Sequence, residues 1–105
     1  YTLYGRPMTV WQEPIQFQWD AGNREKNWIK HRVSNAECEE AFFDPHKRLL
    51  RPTLHGEGET RHILIGYTMD KRLLVVVFTI RGQVVRVISA RDAHRRERGL
   101  YEETA

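Results

Sequence analysis

Four arginines lie within or beside the strand-like segments in the second half of the chain. The planar guanidinium group bonds two phosphate oxygens at once and keeps its charge at any physiological pH. Cleavage of RNA by its own 2′-hydroxyl needs a phosphate held in line, stabilisation of the charge that develops on phosphorus, and proton transfer. The residue types therefore predict a phosphodiester site built on Arg61, Arg81, Arg86 and Arg91.

Other side chains supply what arginine lacks. His31 ends the first helix-like segment, and a histidine can transfer protons near neutral pH, while Lys30 beside it adds positive charge. We expect Arg95 and Arg96, on the last helix-like segment, to bind RNA; the plainer alternative is a solvated face, because Glu97 dilutes the basic run. The predicted catalytic residues are His31, Arg61, Arg86 and Arg91, with Arg81 adding positive field.

The spacing of Arg86 and Arg91 is an obstacle to this site. Strict alternation along a strand places residues five apart on opposite faces of the sheet. The two side chains converge only if the strand ends or bends near Ser89. The alternative for the whole arginine set is ordinary ion pairing, for which these carboxylates are available: Glu59, Asp92 and Glu97.

Other catalytic centres find less support in the sequence. Ser34 is better used as a helix cap, and Ser89 ends a strand without the glycine-flanked elbow of serine hydrolases. The histidines share no i, i+4 spacing and no metalloprotease motif, so we expect no metal site and no cofactor. The histidines concerned are His46, His55, His62 and His94.

The 105 residues suffice for one domain with a two-layer core. Lys and Arg number 17 against 14 Asp and Glu, and the pI of about 9.3 permits a polyanionic partner without requiring one. The single cysteine, Cys38, excludes a disulfide framework, and we expect a half-buried thiol on a helix in a reducing cytoplasm. No apolar run approaches ~20 residues and no signal peptide is visible, so no membrane partner is expected.

The strongest strand signal is the run 73–80, which is apolar at nearly every position and rich in Val. This composition predicts a strand buried on both faces, joined by a tight Gly-containing turn at 81–83 to a second strand over 84–90. Residues 61–69 predict a third strand. One face of it carries Ile63, Ile65, Tyr67 and Met69. Weaker predictions are short strands at 16–19 and 47–50 and a loop at 53–60.

The first of three predicted helices spans about 21–31 and begins at Asp20, whose carboxylate can cap the first backbone N–H groups. Trp28 is expected to point toward the core. The i, i+3, i+4 spacing places four polar side chains on one side of this helix: Asn23, Asn27, Lys30 and His31.

The other two helices have clear start signals. Ser34 and Glu37 form a capping box that opens a helix over about 35–43. Asp92 is expected to cap a last helix over about 93–103. The buried stripe of the second helix consists of Cys38, Ala41 and Phe42.

The order of elements predicts the α+β class, with two N-terminal helices, a three- to four-stranded antiparallel sheet and a C-terminal helix. Residues 1–15 contain Gly5, Pro7 and Pro14 without periodicity, and we interpret them as an N-terminal arm. Residues 16–105 are predicted to form the single domain.

Several short motifs occur in order along residues 17–103, and together they resemble the BrnT family of toxins from bacterial type II toxin–antitoxin pairs. The most specific parts are the Lys30-His31 pair after the first helix and the run from Arg86 to Arg91, which a basic helix follows. The motifs are Phe17-x-Trp19-Asp20, Asn27-x-x-Lys30-His31-x-Val33-Ser34, Phe42-Phe43-Asp44-Pro45, Glu59-x-Arg61, Ile65-Gly66, Val75-Val76-Val77-Phe78-Thr79-x-Arg81 and Arg86-Val87-Ile88-Ser89-Ala90-Arg91.

The resemblance implies a RelE-like α+β fold, a ribonuclease that inhibits translation, and a cognate antitoxin, usually with a ribbon–helix–helix DNA-binding part. Two alternatives remain open. The chain can be a non-catalytic module that binds RNA or its partner through the same basic surface, or a docking protein whose apolar 73–80 strand leaves a face for a partner to cover. The polar positions that match the family are Asp20, Lys30, His31, Glu59, Arg61, Arg81, Arg86 and Arg91.

Overall fold

The computed structural model describes residues 16–55 and 59–103, so the predicted N-terminal arm lies outside the described residues. None of the helices described is long and apolar enough to cross a lipid bilayer. In chain order the elements are β1 (Gln16–Gln18), α1 (Lys26–His31), α2 (Asn35–Phe42), β2 (Arg48–Leu49), β3 (Thr53–His55), β4 (Glu59–Tyr67), β5 (Leu73–Arg81), β6 (Val84–Asp92) and α3 (Arg95–Glu102).

The six described strands form one sheet in the order β1-β6-β5-β4-β2, and β3 also pairs with β4. β1 runs parallel to β6, whereas the other pairs are antiparallel. The α+β class is confirmed, but the prediction of three or four antiparallel strands behind two helices is wrong. β1 precedes α1, and β1, β2 and β3 have only two or three residues each, which is too short for an alternating pattern to reveal.

The hairpin of β5 and β6 forms the centre of the sheet, as predicted. Arg81 pairs with Val84, and the two-residue turn between them places Gly82 in the left-handed region at φ 62°. Most of β5 is buried by the chain's own sheet and helices. The alternative in which residues 73–80 leave an apolar face for a partner is therefore wrong.

The remaining strand predictions are partly correct. The predicted strand 61–69 is β4, which is shifted by two residues toward the N-terminus at both ends. Met69 therefore lies beyond the strand, with 81% of its surface exposed. β2 lies within the predicted range 47–50. The loop predicted over 53–60 contains β3 and the start of β4, so that part of the prediction is wrong.

In the middle of the hairpin, β6 contains one residue more than β5. The neighbouring β5 residues Val77 and Phe78 pair with Ser89 and Val87, so Ile88 has no partner on β5. One extra residue on one strand of an antiparallel pair is a β-bulge, and it changes the face to which the following side chains point.

The bulge brings two predicted site residues onto the same face of the sheet. Arg86 pairs with Thr79, and Arg91 pairs with Val75. Thr79 and Val75 are four residues apart on a regular strand, so they share a face, and directly paired residues also share a face. Arg86 and Arg91 therefore face the same side, although strict alternation predicted opposite sides.

The two faces of the sheet bury separate apolar clusters. On the first face, α2 packs Phe42 against Phe78, with ring centroids 4.8 Å apart. On the second face, Tyr101 of α3 packs with Ile65 and Val75. α3 covers the half of this face where β5 begins and leaves the half near the hairpin turn open.

α2 forms as predicted. Glu37 N–H donates to Ser34 Oγ at 3.1 Å and Ser34 N–H donates to Glu37 Oε1 at 2.9 Å, which confirms the capping box. The predicted stripe of Cys38, Ala41 and Phe42 is buried. Cys38 is fully buried rather than half-buried, and this burial raises the pKa of its thiol to about 12, so the thiol stays protonated.

α1 begins later than predicted, at Lys26, because residues 21–25 form turns. The Asp20 carboxylate accepts a hydrogen bond from Gly22 N–H at 2.9 Å, and Asn23 Oδ1 accepts one from Asp20 N–H at 2.8 Å. Such local bonds between side chain and backbone compete with helix formation.

The four polar side chains that were predicted to share one side of the first helix do not share one environment in the structure. Asn23 and Asn27 are buried against the sheet, whereas Lys30 and His31 are exposed. Trp28, predicted to point toward the core, is 49% exposed. Asn27, Lys30 and His31 all lie within α1, so the predicted common side is wrong even inside the helix, and the prediction for Trp28 is wrong as well.

α3 is also shorter than predicted. His94 occupies the N-cap position, and its backbone N–H donates to Glu97 Oε1 at 2.9 Å. Asp92, the predicted cap, is the last residue of β6 and accepts a hydrogen bond from Arg72 at 2.6 Å instead.

Arg72 connects the ends of several elements, and nothing in its local sequence indicates this. Its guanidinium group bonds both oxygens of Asp92 and both oxygens of Glu37. It also donates to the backbone carbonyls of His31 and Arg32, which end α1. One side chain thus joins the start of β5 to the end of β6, to α1 and to α2.

Substitutions at two separate glycines test the packing of α2 on β4. A Cβ at Gly66 would lie 2.6 Å from the backbone oxygen of Ala41, whereas a Cβ at Gly99 in α3 would meet nothing within 4 Å. We expect Gly66→Ala to lower the free energy of unfolding by roughly 1–3 kcal/mol through overpacking. Gly99→Ala, the matched control, should raise it by up to ~1 kcal/mol. Urea unfolding measures both, and equal stability of the two variants would contradict the close packing.

Candidate active site

The open half of the second sheet face carries a cavity of about 270 Å³. Side chains from β1, β4, β5 and β6 line it: Gln18, Glu59, Thr79, Arg81, Val84 and Arg86. We call this cavity the arginine pocket.

Strand pairing places these side chains in two neighbouring rows. Gln18 pairs with Arg86 and Arg86 pairs with Thr79, so the first row crosses three strands. Arg81 pairs with Val84 in the next row, two residues along each strand and therefore on the same face. The register of the sheet, rather than a loop, determines the geometry of the pocket.

Asp20 holds one edge of the Arg86 guanidinium group. Arg86 Nη2 donates to Asp20 Oδ1 at 2.9 Å. Hydrogen bonds from Gln18 and then from Arg86 lower the pKa of Asp20, so this carboxylate is ionised at neutral pH. Because the two side chains are 36% and 41% exposed, the pair orients Arg86 without contributing much stability.

Arg61 lies two residues from Glu59 on β4, and the two side chains share a face. Arg61 Nε is 4.0 Å from Glu59 Oε1, which is beyond hydrogen-bond distance. This Nε is buried, and within the described residues it has no hydrogen-bond partner. A buried donor without an acceptor costs about 1–3 kcal/mol, so Arg61 has donor capacity that the carboxylates of the described residues do not satisfy.

Arg81 completes the set at the hairpin turn. Its side chain is exposed, and no carboxylate in residues 16–55 and 59–103 forms an ion pair with it. The guanidinium groups of Arg81 and Arg86 therefore line the pocket, and that of Arg61 lies beside the lining residue Glu59. Glu59 and Asp20 are the carboxylates next to these groups. This excess of positive charge suits a phosphate diester.

Arg91 lies on the same face but outside the pocket. Its two terminal nitrogens donate to the two carboxylate oxygens of Glu97 at 2.8 and 2.6 Å. These bonds raise the pKa of Arg91 and lower the pKa of Glu97 to about 2. Ion pairing was the alternative role for the arginine set, and it is the role that Arg91 has in the structure. The Arg91–Glu97 pair connects β6 to the first turn of α3.

The structure does not bring His31 to the arginine pocket. The His31 carbonyl accepts a hydrogen bond from Arg72, and hydrogen bonds from Arg72, with a smaller contribution from the charge of His31, lower the pKa of Asp92. His31 therefore lies near Asp92, six residues along β6 from Arg86, a distance of about 20 Å on a strand.

The other predicted RNA-binding residues are exposed near that same end of β6. Arg95 and Arg96 occupy the first turn of α3, and Lys30 precedes His31 on α1. Together with Arg91 they form a second basic region, which we call the distal basic region. Its members are Lys30, His31, Arg91, Arg95 and Arg96.

Three lining residues of the pocket received no functional role from the sequence: Gln18, Thr79 and Val84. Glu59 was named only as an ion-pair partner and as a position that matches the family, and its segment was predicted to be a loop. The available signal was the i, i+2 spacing in Glu59-x-Arg61 and in Thr79-x-Arg81, which places both residues of each pair on one face of a strand.

The described residues contain no group of three or more His, Cys, Asp or Glu side chains arranged to hold a metal ion. The pocket itself offers one carboxylate among its lining residues, Glu59. The lining therefore offers hydrogen-bond donors and positive charge together with one carboxylate.

The fold and the pocket define a small α+β protein with two arginines lining a pocket on one face of its sheet. A family model described as "Ribonuclease toxin, BrnT, of type II toxin-antitoxin system" matches residues 19–97. The match covers more than half of the chain, so this chain belongs to the BrnT family of ribonuclease toxins. Membership in a type II toxin–antitoxin system implies an antitoxin partner.

Among solved structures, the 1.1 Å crystal structure of the Brucella abortus ribonuclease toxin BrnT is similar to this chain. The two sequences are 23% identical, the likeness covers 77% of this chain and 99% of that chain, and the TM-score is 0.59. This likeness supports the fold. No curated protein matches the chain.

The pair of Arg91 and Glu97 should make stability depend on pH. The pKa of Glu97 is lowered from its ordinary value of 4.5 to about 2, chiefly by the hydrogen bonds from Arg91. A carboxylate whose pKa is lower in the folded state stabilises the fold at pH values above its unfolded-state pKa. This contribution disappears as pH falls from about 4.5 toward about 2. We expect Glu97→Gln to cost about 2 kcal/mol at pH 7 and far less at pH 2.

Urea unfolding at a series of pH values measures this difference. Glu102→Gln, which removes an exposed carboxylate from the other end of α3, is the control and should show no comparable dependence. A cost of Glu97→Gln that stays constant between pH 5 and pH 2 would show that the ion pair is not its cause.

Proposed function

We propose that this chain is a metal-independent endoribonuclease whose arginine pocket binds the scissile phosphate. The observation that carries the proposal is that Arg81 and Arg86 line the pocket on the open half of one sheet face, with Arg61 beside the lining residue Glu59. Donors held by paired strands need little rearrangement when charge develops on phosphorus, and this preorganisation is the largest contribution in many enzymes.

In the proposed reaction the ribose 2′-oxygen attacks the adjacent phosphorus. The bond from the 2′-oxygen to phosphorus forms, the bond from phosphorus to the 5′-oxygen breaks, and the products are a 2′,3′-cyclic phosphate and a 5′-hydroxyl. Arg61 and Arg86 bond the non-bridging oxygens, and Arg81 adds positive charge at the open side. RNA that lacks the 2′-hydroxyl at the cleaved bond should therefore not be a substrate.

Glu59 is the proposed acceptor of the 2′-hydroxyl proton. It is the carboxylate among the lining residues, and the nearby guanidinium groups keep it close to the bound phosphate. The leaving 5′-oxygen takes a proton from water. His31 was predicted to transfer the proton. We keep this role as a second proposal, for a substrate that extends to the end of β6 where His31 lies.

The distal basic region is proposed to bind the nucleotides that flank the cleaved bond. Arg91 lies on the same face as the pocket, and Arg95 and Arg96 sit at the N-terminal end of α3, where the helix dipole favours negative charge. Contacts of this kind raise affinity for the RNA backbone without selecting a sequence.

The biological setting follows the family. We propose that the chain is RelE-like, acts on RNA in the cytoplasm and thereby inhibits translation, and that its antitoxin carries a ribbon–helix–helix DNA-binding part. Co-expression with the protein encoded by the neighbouring reading frame should restore growth of cells that the chain arrests. Growth arrest that persists with an intact RNA pool would contradict the proposed target.

A second candidate is a non-catalytic module that binds RNA or a partner. One observation favours it: Arg86 and Arg91 are already bonded to Asp20 and Glu97. Ion-paired arginines can still bind phosphate at their free nitrogens, but they contribute less charge. Tight RNA binding by the purified chain without any cleavage would establish this alternative.

Charge-removing substitutions test the pocket. Arg61→Gln and Arg86→Gln should each lower the rate of RNA cleavage by about 100-fold or more, the usual effect of removing one donor to a transition-state oxyanion. The measurement is a single-turnover assay on purified protein, with circular dichroism to show that each variant is folded.

Lys71→Gln is the matched control, because it removes the same charge from an exposed turn at the opposite end of β5. The control should cleave at the wild-type rate. Full activity of both arginine variants would reject the pocket as the site.

Removal of metal ions tests the proposed chemistry. Because the proposal uses only side chains of the chain itself, EDTA should leave the cleavage rate unchanged within about twofold, and the products should carry a cyclic phosphate. If EDTA abolished cleavage and Mg²⁺ restored it, the proposal of metal independence would be rejected. The arginine variants would still test the pocket as the site.

A further inference from the structure

We infer that Asn23 and Asn27 are positioning residues of the ribonuclease centre, because they hold the β-bulge that directs Arg86 and Arg91 to one face. The inference rests on the proposed function of the arginine pocket. Neither asparagine touches the substrate in this account; each acts through the backbone of β6.

The outer edge of β6 is closed by two different means. β1 pairs with residues 84–86 only. Beyond that point, side chains from the segment 23–27 bond the exposed backbone of β6. The bonds are Asn23 Nδ2 to the Val87 carbonyl at 2.9 Å, Lys26 Nζ to the Ile88 carbonyl at 3.0 Å, and Ala90 N–H to Asn27 Oδ1 at 2.9 Å.

These bonds surround the bulged residue. Ile88 has no partner on β5, and the carbonyls of Val87 and Ile88 and the N–H of Ala90 point outward from the sheet. Backbone groups at a bulge leave the regular ladder and need other partners. The segment 23–27 supplies them, so it stabilises the bulged register over a regular one.

Burial shows that the two asparagines are structural parts of the site rather than surface residues. Each is 1% exposed. Asn23 also donates to the Gln18 carbonyl at 3.0 Å and accepts from Asp20 N–H at 2.8 Å. It therefore connects the bulge to the residue that holds Arg86, and a buried amide with these bonds is costly to replace.

The two asparagines use their amide groups in opposite ways. Asn23 acts as a donor to two carbonyls through Nδ2. Asn27 acts as an acceptor through Oδ1, and its Nδ2 has no hydrogen-bond partner within the described residues. The same isosteric change, asparagine to aspartate, therefore removes the essential group at position 23 and keeps it at position 27.

This difference gives a test that general destabilisation does not mimic. We expect Asn23→Asp to lower kcat for RNA cleavage by about 10- to 100-fold, because a small displacement of a catalytic group has effects of this size. Asn27→Leu, which has similar volume and no acceptor, should lower it likewise. Asn27→Asp should stay within about threefold of wild type.

The assay measures kcat and KM at saturating RNA, with each value corrected for the folded fraction by circular dichroism. Ser34→Ala, which removes the α2 cap remote from the bulge, is the control for lost stability and should keep kcat. If folded Asn23→Asp and Asn27→Leu both cleave at the wild-type rate while Arg86→Gln does not, the positioning inference is overturned and the pocket stands. If Arg86→Gln is fully active, the proposed function fails and the inference fails with it.

Deletion of Ile88 decides the matter if an asparagine variant does not fold. Without the extra residue, β6 pairs with β5 in a regular register, and the shortened spacing keeps Arg86 and Arg91 on one face. We expect the deletion variant to fold and to cleave within about tenfold of wild type. A folded but inactive deletion variant would overturn the inference, because it would show that the shared face is not what the bulge provides.

Discussion

The β-bulge at Ile88 determines on which face of the sheet the arginines of β6 lie. Arg86 and Arg91 are five residues apart, so a regular strand would place one on each face. One extra residue, Ile88, changes that parity, and the side chains of α1 and the turn before it bond the backbone that the bulge leaves unpaired. A change of a single register step thus decides whether the cations form one surface.

The position of α3 determines where on that surface chemistry is possible. Tyr101 packs on Ile65 and Val75 and donates to buried Asp44 at 2.7 Å, and the Arg91–Glu97 pair holds the first turn of the helix. The helix therefore covers one half of the sheet face with apolar contacts and leaves the other half polar. The chain belongs to a family of ribonuclease toxins of type II toxin–antitoxin systems, and Arg81 and Arg86 line a pocket on the open half.

The sequence predicted those features that depend on local, repeated patterns. The capping box of α2 and the buried β5 with its hairpin partner follow from spacing and composition, and the ordered motifs indicated the family. A bend near Ser89 was the stated condition for Arg86 and Arg91 to converge, but the bulge itself was not predictable, because the residues that bond its backbone lie more than 60 positions away. Glu59 was recognised as matching the family, but its place in a strand was not, since it lies where a glycine-containing loop pattern continues into β4. Arg72, whose partners lie 20 to 41 positions away, carries no local signal either.

The central claim is that Arg61, Arg81 and Arg86 hold the phosphate whose bond is broken. A crystal structure of the chain with a short RNA that carries a 2′-O-methyl group at the cleaved position measures this most directly. The account predicts that the phosphate next to the methylated ribose lies within hydrogen-bond distance of at least two of the three guanidinium groups, with the Glu59 carboxylate beside the 2′-oxygen. RNA bound along α3 with that phosphate distant from all three arginines would contradict it.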